Sequence, residues 1–230
     1  MGVRINKYIA SSGFCSRRQA DELVETGKVT VDDIVAVNGT VVEDGSIVKV
    51  EGKEILPEEQ KIYIALHKPL GITCTTDRRD PSNIIDYIGM DDRIFPIGRL
   101  DKNSSGLILL TNDGDIVNKL LRAENGHEKE YQVRVDRKIE PGFKEKMEAG
   151  VIILGKKTLP CRVTVTGTHT FNIVLKQGLN RQIRRMCDAL GYRVTKLRRI
   201  RFISITLGDM KPGDKRYLTK DEIRRLKSPD

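Results

Sequence analysis

GRLDKNSSGLILLTNDGD, residues 98–115, joins a polar loop to an apolar strand, and the rest of the chain is interpreted outward from it. The loop carries Asp101 between two basic residues, Arg99 and Lys102, and a strand is predicted over 107–111. Loops held by a rigid strand are favoured places for catalytic groups. On spacing alone, however, a surface turn with a solvated aspartate is the better interpretation.

Around this stretch, short segments with strand character outnumber those with helical periodicity. The predicted strands of the larger part of the chain cover 62–66, 107–111, 131–135, 151–154, 162–165, 171–175 and 201–207. The predicted helices cover 115–121, 143–149, 181–190 and 220–226. Because many strands follow one another without a helical crossover, the pattern favours an α+β fold: a mixed, largely antiparallel β-sheet with flanking helices.

The first fifty residues are predicted to form a separate small module. Ser16 followed by Gln19 is a capping-box pattern that opens a helix, and short strand-like segments follow it. The polar segment 53–61 is predicted to be a linker. We therefore divide the chain into a module at 1–52, the linker, and a larger domain at 62–230.

Positive charge is concentrated in one part of the sequence. The formal net charge is +9, and between Lys176 and Arg201 nine basic residues accompany a single acidic one, Asp188. Such a density of one sign is unfavourable unless phosphate groups share the site. An anionic partner, and nucleic acid in particular, is expected.

Composition disfavours several classes of protein. No apolar run is long enough to cross a bilayer and the N-terminus lacks a signal-peptide pattern, so a soluble cytoplasmic protein without a membrane partner is expected. Four cysteines and three histidines are scattered without metal-ligand spacing, which disfavours a zinc site, a metal-dependent nuclease and a deaminase. Without a coiled-coil pattern or an exposed apolar repeat, we expect a monomer.

Four segments in order resemble the motifs of one enzyme family. Residues 98–115 closely resemble the defining motif of the pseudouridine synthases of the RsuA/RluB/RluE/RluF group, and KPLG at 68–71, KEY at 129–131 and QGLNRQIRRM at 177–186 resemble its other motifs. The resemblance runs from about residue 62 to the end and is closest to the RluF branch. It implies a pseudouridine synthase fold and an isomerase, an intramolecular transferase, that converts a uridine of structured RNA to pseudouridine without metal or cofactor.

The resemblance also implies roles for individual residues. Asp101 would be the essential catalytic residue, Tyr131 would stack on the base and handle a proton, and Arg184 would be the ion partner of Asp101. Attack on the sugar, attack on the base and abstraction of a sugar proton all remain open for Asp101. Substrate contacts are expected from Arg99, Lys102, Leu197, Arg181, Arg185 and Lys68. Ordinary roles are the alternatives: core packing for Tyr131 and Leu197, and shaping the floor of the site for Lys68.

The N-terminal module resembles the α-L RNA-binding module named after a small-subunit ribosomal protein. The matching runs are 13–21, 27–31 and 37–39. Because no acidic residue occurs among the first twenty, one helical face is expected to contact RNA through Arg4, Lys7, Arg17 and Arg18. Large-subunit ribosomal RNA is the favoured substrate, with transfer RNA as the alternative.

A non-catalytic RNA-binding protein or ribosome assembly factor that kept the fold would explain the basic segment and the module equally well. Such a protein would be expected to have lost at least one of Asp101, Tyr131 and Arg184. All three are present, which favours the enzyme.

Overall fold

The computed structural model describes residues 2–58, 60–121 and 126–228. The chain divides into two compact units. The smaller comprises Met1–Ile62 with the short segments Asp91–Arg93 and Asn112–Gly114, and the larger holds the remainder.

The smaller unit combines two helices with short strands. Its elements are β1 (Val3–Arg4), α1 (Ile5–Ser11), α2 (Arg17–Glu25), β2 (Val29–Val31), β3 (Ile34–Val35), β4 (Val41–Val42), β5 (Val48–Val50) and β6 (Lys53–Glu54). Strand β1 pairs with β4, and the other strands form a sheet in the order β3-β2-β5-β6. The segment predicted to be a linker therefore gives its first two residues to this sheet, because β6 pairs antiparallel with β5.

Apolar positions one helical turn apart build the core of the smaller unit. Ile5 and Ile9 of α1, with Ala20 and Val24 of α2, are buried against the strands. The predicted capping box at the start of α2 is confirmed. The Gln19 N–H donates to Ser16 Oγ at 3.2 Å, and the Ser16 N–H donates to Gln19 Oε1 at 3.0 Å.

The larger unit is built on one long sheet. The strands of this unit are β7 (Tyr63–Lys68), β8 (Phe95–Ile97), β9 (Ser105–Thr111), β10 (Lys129–Val135), β11 (Ile152–Ile153), β12 (Lys156–Lys157), β13 (Arg162–Gly167), β14 (Thr170–Leu175), β15 (Val194–Phe202), β16 (Ile205–Thr206) and β17 (Lys215–Tyr217). All of them except β11 and β12, which pair with each other, belong to the long sheet. Its helices are α3 (Ile84–Ile88), α4 (Gly114–Leu121), α5 (Phe143–Glu148), α6 (Gln182–Ala189) and α7 (Lys220–Lys227). The strand order is β13-β14-β10-β15-β9-β7-β17, with β16 on β15 and β8 on β9.

The predicted mixed, largely antiparallel sheet is confirmed. Among the pairings of this sheet, the parallel one is β15 with β9, and it joins the two halves. In one half, Phe143 of α5 and Met186 of α6 pack on β10 and β14. In the other half, Ile116 and Leu120 of α4 pack on β7 and β9. The helices thus cover apolar strand positions that would otherwise face water.

The structure also differs from the predicted elements. A strand predicted over 201–207 is in fact the end of β15 and all of β16, because the chain reverses at Ile203, whose φ is 56°. The start of β15 was missed because its charged residues hide the alternation of a strand. Helix α3, capped by Asn83, and the polar edge strand β17 were too short or too polar to predict. Within the described ranges, none of the helices has the length and apolar character needed to span a bilayer.

Candidate active site

Sheet register places residues of three of the sequence motifs, together with Arg199, on one line. Lys68 of β7 lies opposite Gly106 of β9, Gly106 is paired with Arg199 of β15, and Arg199 lies opposite Tyr131 of β10. Gly106 permits this arrangement. Its φ is 108°, and a Cβ built on it would lie 2.2 Å from the carbonyl oxygen of Arg199. Residues far apart in sequence are therefore brought side by side below the loop that carries Asp101.

Backbone contacts fix the loop that precedes β9. Leu100 is buried, and its N–H donates to Cys74 Sγ at 3.4 Å. The Ser104 N–H donates to the carbonyl oxygen of Asp101 at 3.0 Å, and the Gly71 N–H donates to that of Lys102 at 2.9 Å. The KPLG turn is thus tied directly to the loop, and the Asp101 side chain stays 34% exposed at its surface.

The expected ion pair between Arg184 and Asp101 is a prediction that the structure corrects. Among the described residues, the ion partner of Asp101 is Arg181, whose Nη1 lies 3.9 Å from Asp101 Oδ2. Arg181 can reach the carboxylate because it is the left-handed N-cap residue of α6, with φ 49°. Substrate contact had been expected of Arg181 instead.

Arg184 holds the backbone of the loop. Its Nη2 donates to the carbonyl oxygen of Asn103 at 2.6 Å and to Ser104 Oγ at 3.4 Å, and its Nη1 donates to the carbonyl oxygen of Val194 at 3.2 Å. Burial, followed by the charge of Arg181, lowers the pKa of the Arg184 guanidinium. Arg184 therefore joins α6 to the loop that carries Asp101 and to β15 at the same time.

Lys68 lies beneath the loop with no exposed surface. Its Nζ donates to the carbonyl oxygens of Pro69 and Ile72, each at 2.8 Å. Burial lowers the pKa of its ammonium group, against the opposing charges of Cys74 and Asp101. Lys68 therefore shapes the floor of the site, and its direct contact with substrate stays a prediction.

Tyr131 and Leu197 lie on the central strands. Tyr131 is partly buried and packs on the core formed with α5 and α6. Leu197 is buried in the same core, opposite Val133 of β10. Tyr131 keeps some exposed surface, and Leu197 packs in the core. Contact of either side chain with the base stays a prediction.

The remaining predicted contacts differ in how freely they can reach a ligand. Arg99 and Lys102 are exposed on the loop, with Lys102 Nζ donating to Ser82 Oγ at 3.0 Å. Arg185 turns back to Asn180, donating to its carbonyl oxygen at 3.1 Å and to its Oδ1 at 3.2 Å. In the smaller unit, Arg4, Arg17 and Arg18 are exposed and Lys7 is partly buried.

Arg199 also forms part of the floor of the site. It had no individual role in the prediction from sequence and was included only among the nine basic residues between Lys176 and Arg201. It is 2% exposed, its Nε donates to the carbonyl oxygen of Leu107 at 2.7 Å, and its guanidinium lies 5.5 Å from the Phe202 ring centroid. Burial, and then the charge of Arg199, lowers the pKa of the Lys129 ammonium. Alternation with Leu197 along β15 was the signal that could have identified an inward-facing arginine.

Arg201 shows further that the basic segment is not simply a phosphate-binding surface. It donates from Nε to Glu130 at 3.0 Å and from Nη2 to Glu128 at 3.0 Å. Part of the charge density predicted to need phosphate is therefore balanced by carboxylates of the β10 segment. Within the described ranges, no cluster of three or more His, Cys, Asp or Glu side chains could hold a metal ion.

Sequence comparison places this chain in a known family. Residues 62–189 match the family described as RNA pseudouridylate synthase, and residues 3–36 match the S4 domain. The chain belongs to the RNA pseudouridylate synthase family. The predicted family, the predicted RNA-binding module and the assignment as an isomerase are confirmed.

Relatives of this pseudouridylate synthase extend over nearly its whole length. It is 51% identical to the Dual-specificity RNA pseudouridine synthase RluF of Escherichia coli K12, over 96% of this chain and 77% of the relative. It is 35% identical to the Ribosomal large subunit pseudouridine synthase B of Bacillus subtilis, over 98% of this chain and 96% of the relative. A pseudouridylate synthase crystal structure is 26% identical and aligns with a TM-score of 0.72, covering 97% of this chain and 99% of that one.

Proposed function

We propose that this pseudouridylate synthase isomerises a specific uridine of large-subunit ribosomal RNA, with Asp101 as the essential catalytic group. The observation that carries the proposal is the position of Asp101. It is a half-exposed carboxylate on a rigidly held loop, above a line of motif residues that includes Tyr131.

The reaction requires few chemical groups. The N-glycosidic bond breaks, the base turns, and a carbon–carbon bond forms at C5 of uracil, with one proton leaving C5 and one arriving at the base nitrogen. No electrons are gained or lost overall. A carboxylate can act as the nucleophile or as the group that accepts a proton, and both routes remain open for Asp101.

Neighbouring side chains are proposed to support that carboxylate. The Arg181 guanidinium lies within ion-pair distance of it, and Arg184 keeps its loop in place through the Asn103 carbonyl. Tyr131, opposite Arg199 on the same line of paired residues, would stack on the target base and handle a proton. Arg99 and Lys102 are exposed on the same loop and would contact the flipped nucleotide or its phosphates.

The smaller unit is proposed to bind the same RNA. Arg17 and Arg18 open α2, where the helix dipole disfavours cations unless an anion is near. Structured loops suit such an enzyme because their bases can be splayed out. We propose that the protein acts as a cytoplasmic monomer, with its module within 1–52 and its catalytic domain at 62–230.

Transfer RNA, another structured RNA, is a second candidate substrate. The name of the Escherichia coli relative states dual specificity without saying for which RNAs. Mapping pseudouridines in ribosomal and transfer RNA, from cells with and without the gene, tests both candidates. We expect one large-subunit position to lose its pseudouridine without the gene and to regain it when the gene is restored. An unchanged large-subunit map would overturn the assignment to ribosomal RNA, and a loss confined to transfer RNA would establish the second candidate.

A further inference from the structure

A small hairpin of the larger unit exposes an apolar tip. Strands β11 and β12 are joined by Leu154 and Gly155, whose φ values are 50° and 73°. Ile152 and Leu154 are 70% and 59% exposed, whereas Ile153 between them is 5% exposed and belongs to the core. The hairpin is thus anchored on one side and presents aliphatic side chains to water on the other.

Leu154 has an exposed side chain and, in addition, an unfavourable backbone conformation. Two-residue hairpin turns with positive φ at both positions favour Asn-Gly or Asp-Gly, because a Cβ resists the left-handed region. A leucine there carries a conformational cost in addition to the cost of exposing its side chain. Strained residues of this kind concentrate at sites of function.

Charge at the hairpin indicates the nature of the partner. Lys156 and Lys157 form β12 and are both exposed, and residues 151–161 contain no acidic residue. Neither lysine forms an ion pair with any residue that the structure describes. Aliphatic side chains beside two unbalanced cations suit an RNA ligand, whose bases offer apolar faces and whose backbone offers phosphates.

The base of the hairpin is connected to the proposed catalytic site. Val151 and Thr158 close it, with the Thr158 N–H donating to the Val151 carbonyl oxygen at 3.0 Å. The next residue, Leu159, is 54% exposed and donates its N–H to Gln177 Oε1 at 3.1 Å. Gln177 in turn accepts from Gln182 Nε2, at 3.4 Å, in the first turn of α6. Arg181, the ion partner of Asp101, immediately precedes that turn.

We propose that residues 152–159 form an RNA-contacting hairpin, a site that deepens the proposed function and rests on it. Leu154 packs against an unpaired base of the substrate RNA, and Lys156 and Lys157 contact its phosphates. The hairpin would hold RNA beside the start of α6 while the target nucleotide enters the site.

Two variants separate the apolar contact from the ionic one. Leu154→Asn keeps a residue that accepts positive φ, so the turn is retained. We expect it to raise the Kd for large-subunit ribosomal RNA, taken from a strain lacking the gene, about tenfold. Its kcat at saturating RNA and the salt dependence of binding should stay at wild-type values. Lys156→Gln with Lys157→Gln should instead reduce the slope of log K against log salt by about 1.5.

The matched control is Val165→Thr, because Val165 is 44% exposed on the edge strand β13. It should leave the Kd and the salt slope unchanged. If the wild-type protein forms pseudouridine and both hairpin variants bind RNA as it does, the hairpin proposal is wrong and the proposed function stands. If Val165→Thr weakens binding equally, the hairpin has no specific role. If the wild-type protein forms no pseudouridine in any RNA, both proposals fail.

Discussion

Arg181 and Arg184 lie at the start of the same helix and relate to Asp101 in different ways. The Arg181 contact is a 3.9 Å ion pair between side chains that are 44% and 34% exposed, and such pairs contribute little in water. Arg184 is more buried and donates to carbonyl oxygens on two separate elements. Position of the loop therefore depends more on Arg184 than on the arginine that touches the carboxylate.

We predict that Arg184→Met lowers kcat about 100-fold, because a small displacement of a catalytic group is enough for such a loss. Arg181→Gln, the control at the neighbouring position, should change kcat less than about tenfold and act mainly on KM. Steady-state kinetics on ribosomal RNA would measure both. A larger loss of kcat for Arg181→Gln than for Arg184→Met would show that the direct ion pair is the more important contact.

At the scale of the element, the N-terminus of helix α7 is stabilised by a carboxylate in its ionised form. Glu222 accepts from both Arg216 Nη atoms at 2.7 and 2.8 Å and from the N–H of Thr219 at 2.9 Å. The Arg216 contact, assisted by that N–H, lowers the pKa of Glu222 from 4.5 to about 2. Its pKa is lower in the folded state than in the unfolded state, so its contribution to stability is present above pH 4.5 and is lost as pH falls toward 2.

We predict that Glu222→Gln is less stable than the wild-type protein at pH 7, and that the difference disappears between pH 4.5 and pH 2. Urea unfolding at a series of pH values would measure it. Asp221→Asn is the control, because the pair that Asp221 forms within the described part of the chain is an exposed i, i+3 contact with Arg224. A difference for Glu222→Gln that persisted unchanged at pH 2 would contradict the assigned role of the carboxylate.

Elements with a strong local signal were predictable, and those set by tertiary packing were not. The capping box at Ser16 and the buried strand after Asp101 follow from patterns within a few residues. Strand β15 was hidden because Arg199, although charged, faces inward and hydrogen-bonds across to β9. The ion partner of Asp101 was mispredicted for a similar reason, since the left-handed backbone of Arg181 brings its guanidinium, not that of Arg184, to the carboxylate.

At the scale of the whole molecule, the basic residues behind the net charge of +9 differ in whether they are paired with carboxylates or exposed. Arg201 is balanced by Glu128 and Glu130. Arg17 and Arg18 are exposed at the start of α2, whose first turn has no acidic residue. The residues that would bind phosphate are therefore a subset of the basic ones.

We predict that Arg17→Gln with Arg18→Gln weakens binding to ribosomal RNA and lowers the slope of log K against log salt by about 1.5, without changing kcat at saturating RNA. Lys28→Gln with Lys49→Gln is the matched control, because these lysines pair with Glu51 and Asp33 in the same unit. Filter binding at several salt concentrations would distinguish the two. Equal slopes for both double variants would remove the assigned RNA contact from α2.

The most direct test of the proposed chemistry is a single-turnover assay of Asp101→Asn on large-subunit ribosomal RNA from cells lacking the gene. Asp209→Asn serves as the control, because Asp209 is an exposed aspartate in the turn after β16. We predict that Asp101→Asn slows pseudouridine formation at least 100-fold, roughly the contribution of a proton-transferring or nucleophilic group. RNA affinity should stay within about threefold of wild type, less than 1 kcal/mol, and Asp209→Asn should be fully active. Pseudouridine formation by Asp101→Asn at the wild-type rate would contradict a catalytic role for this carboxylate.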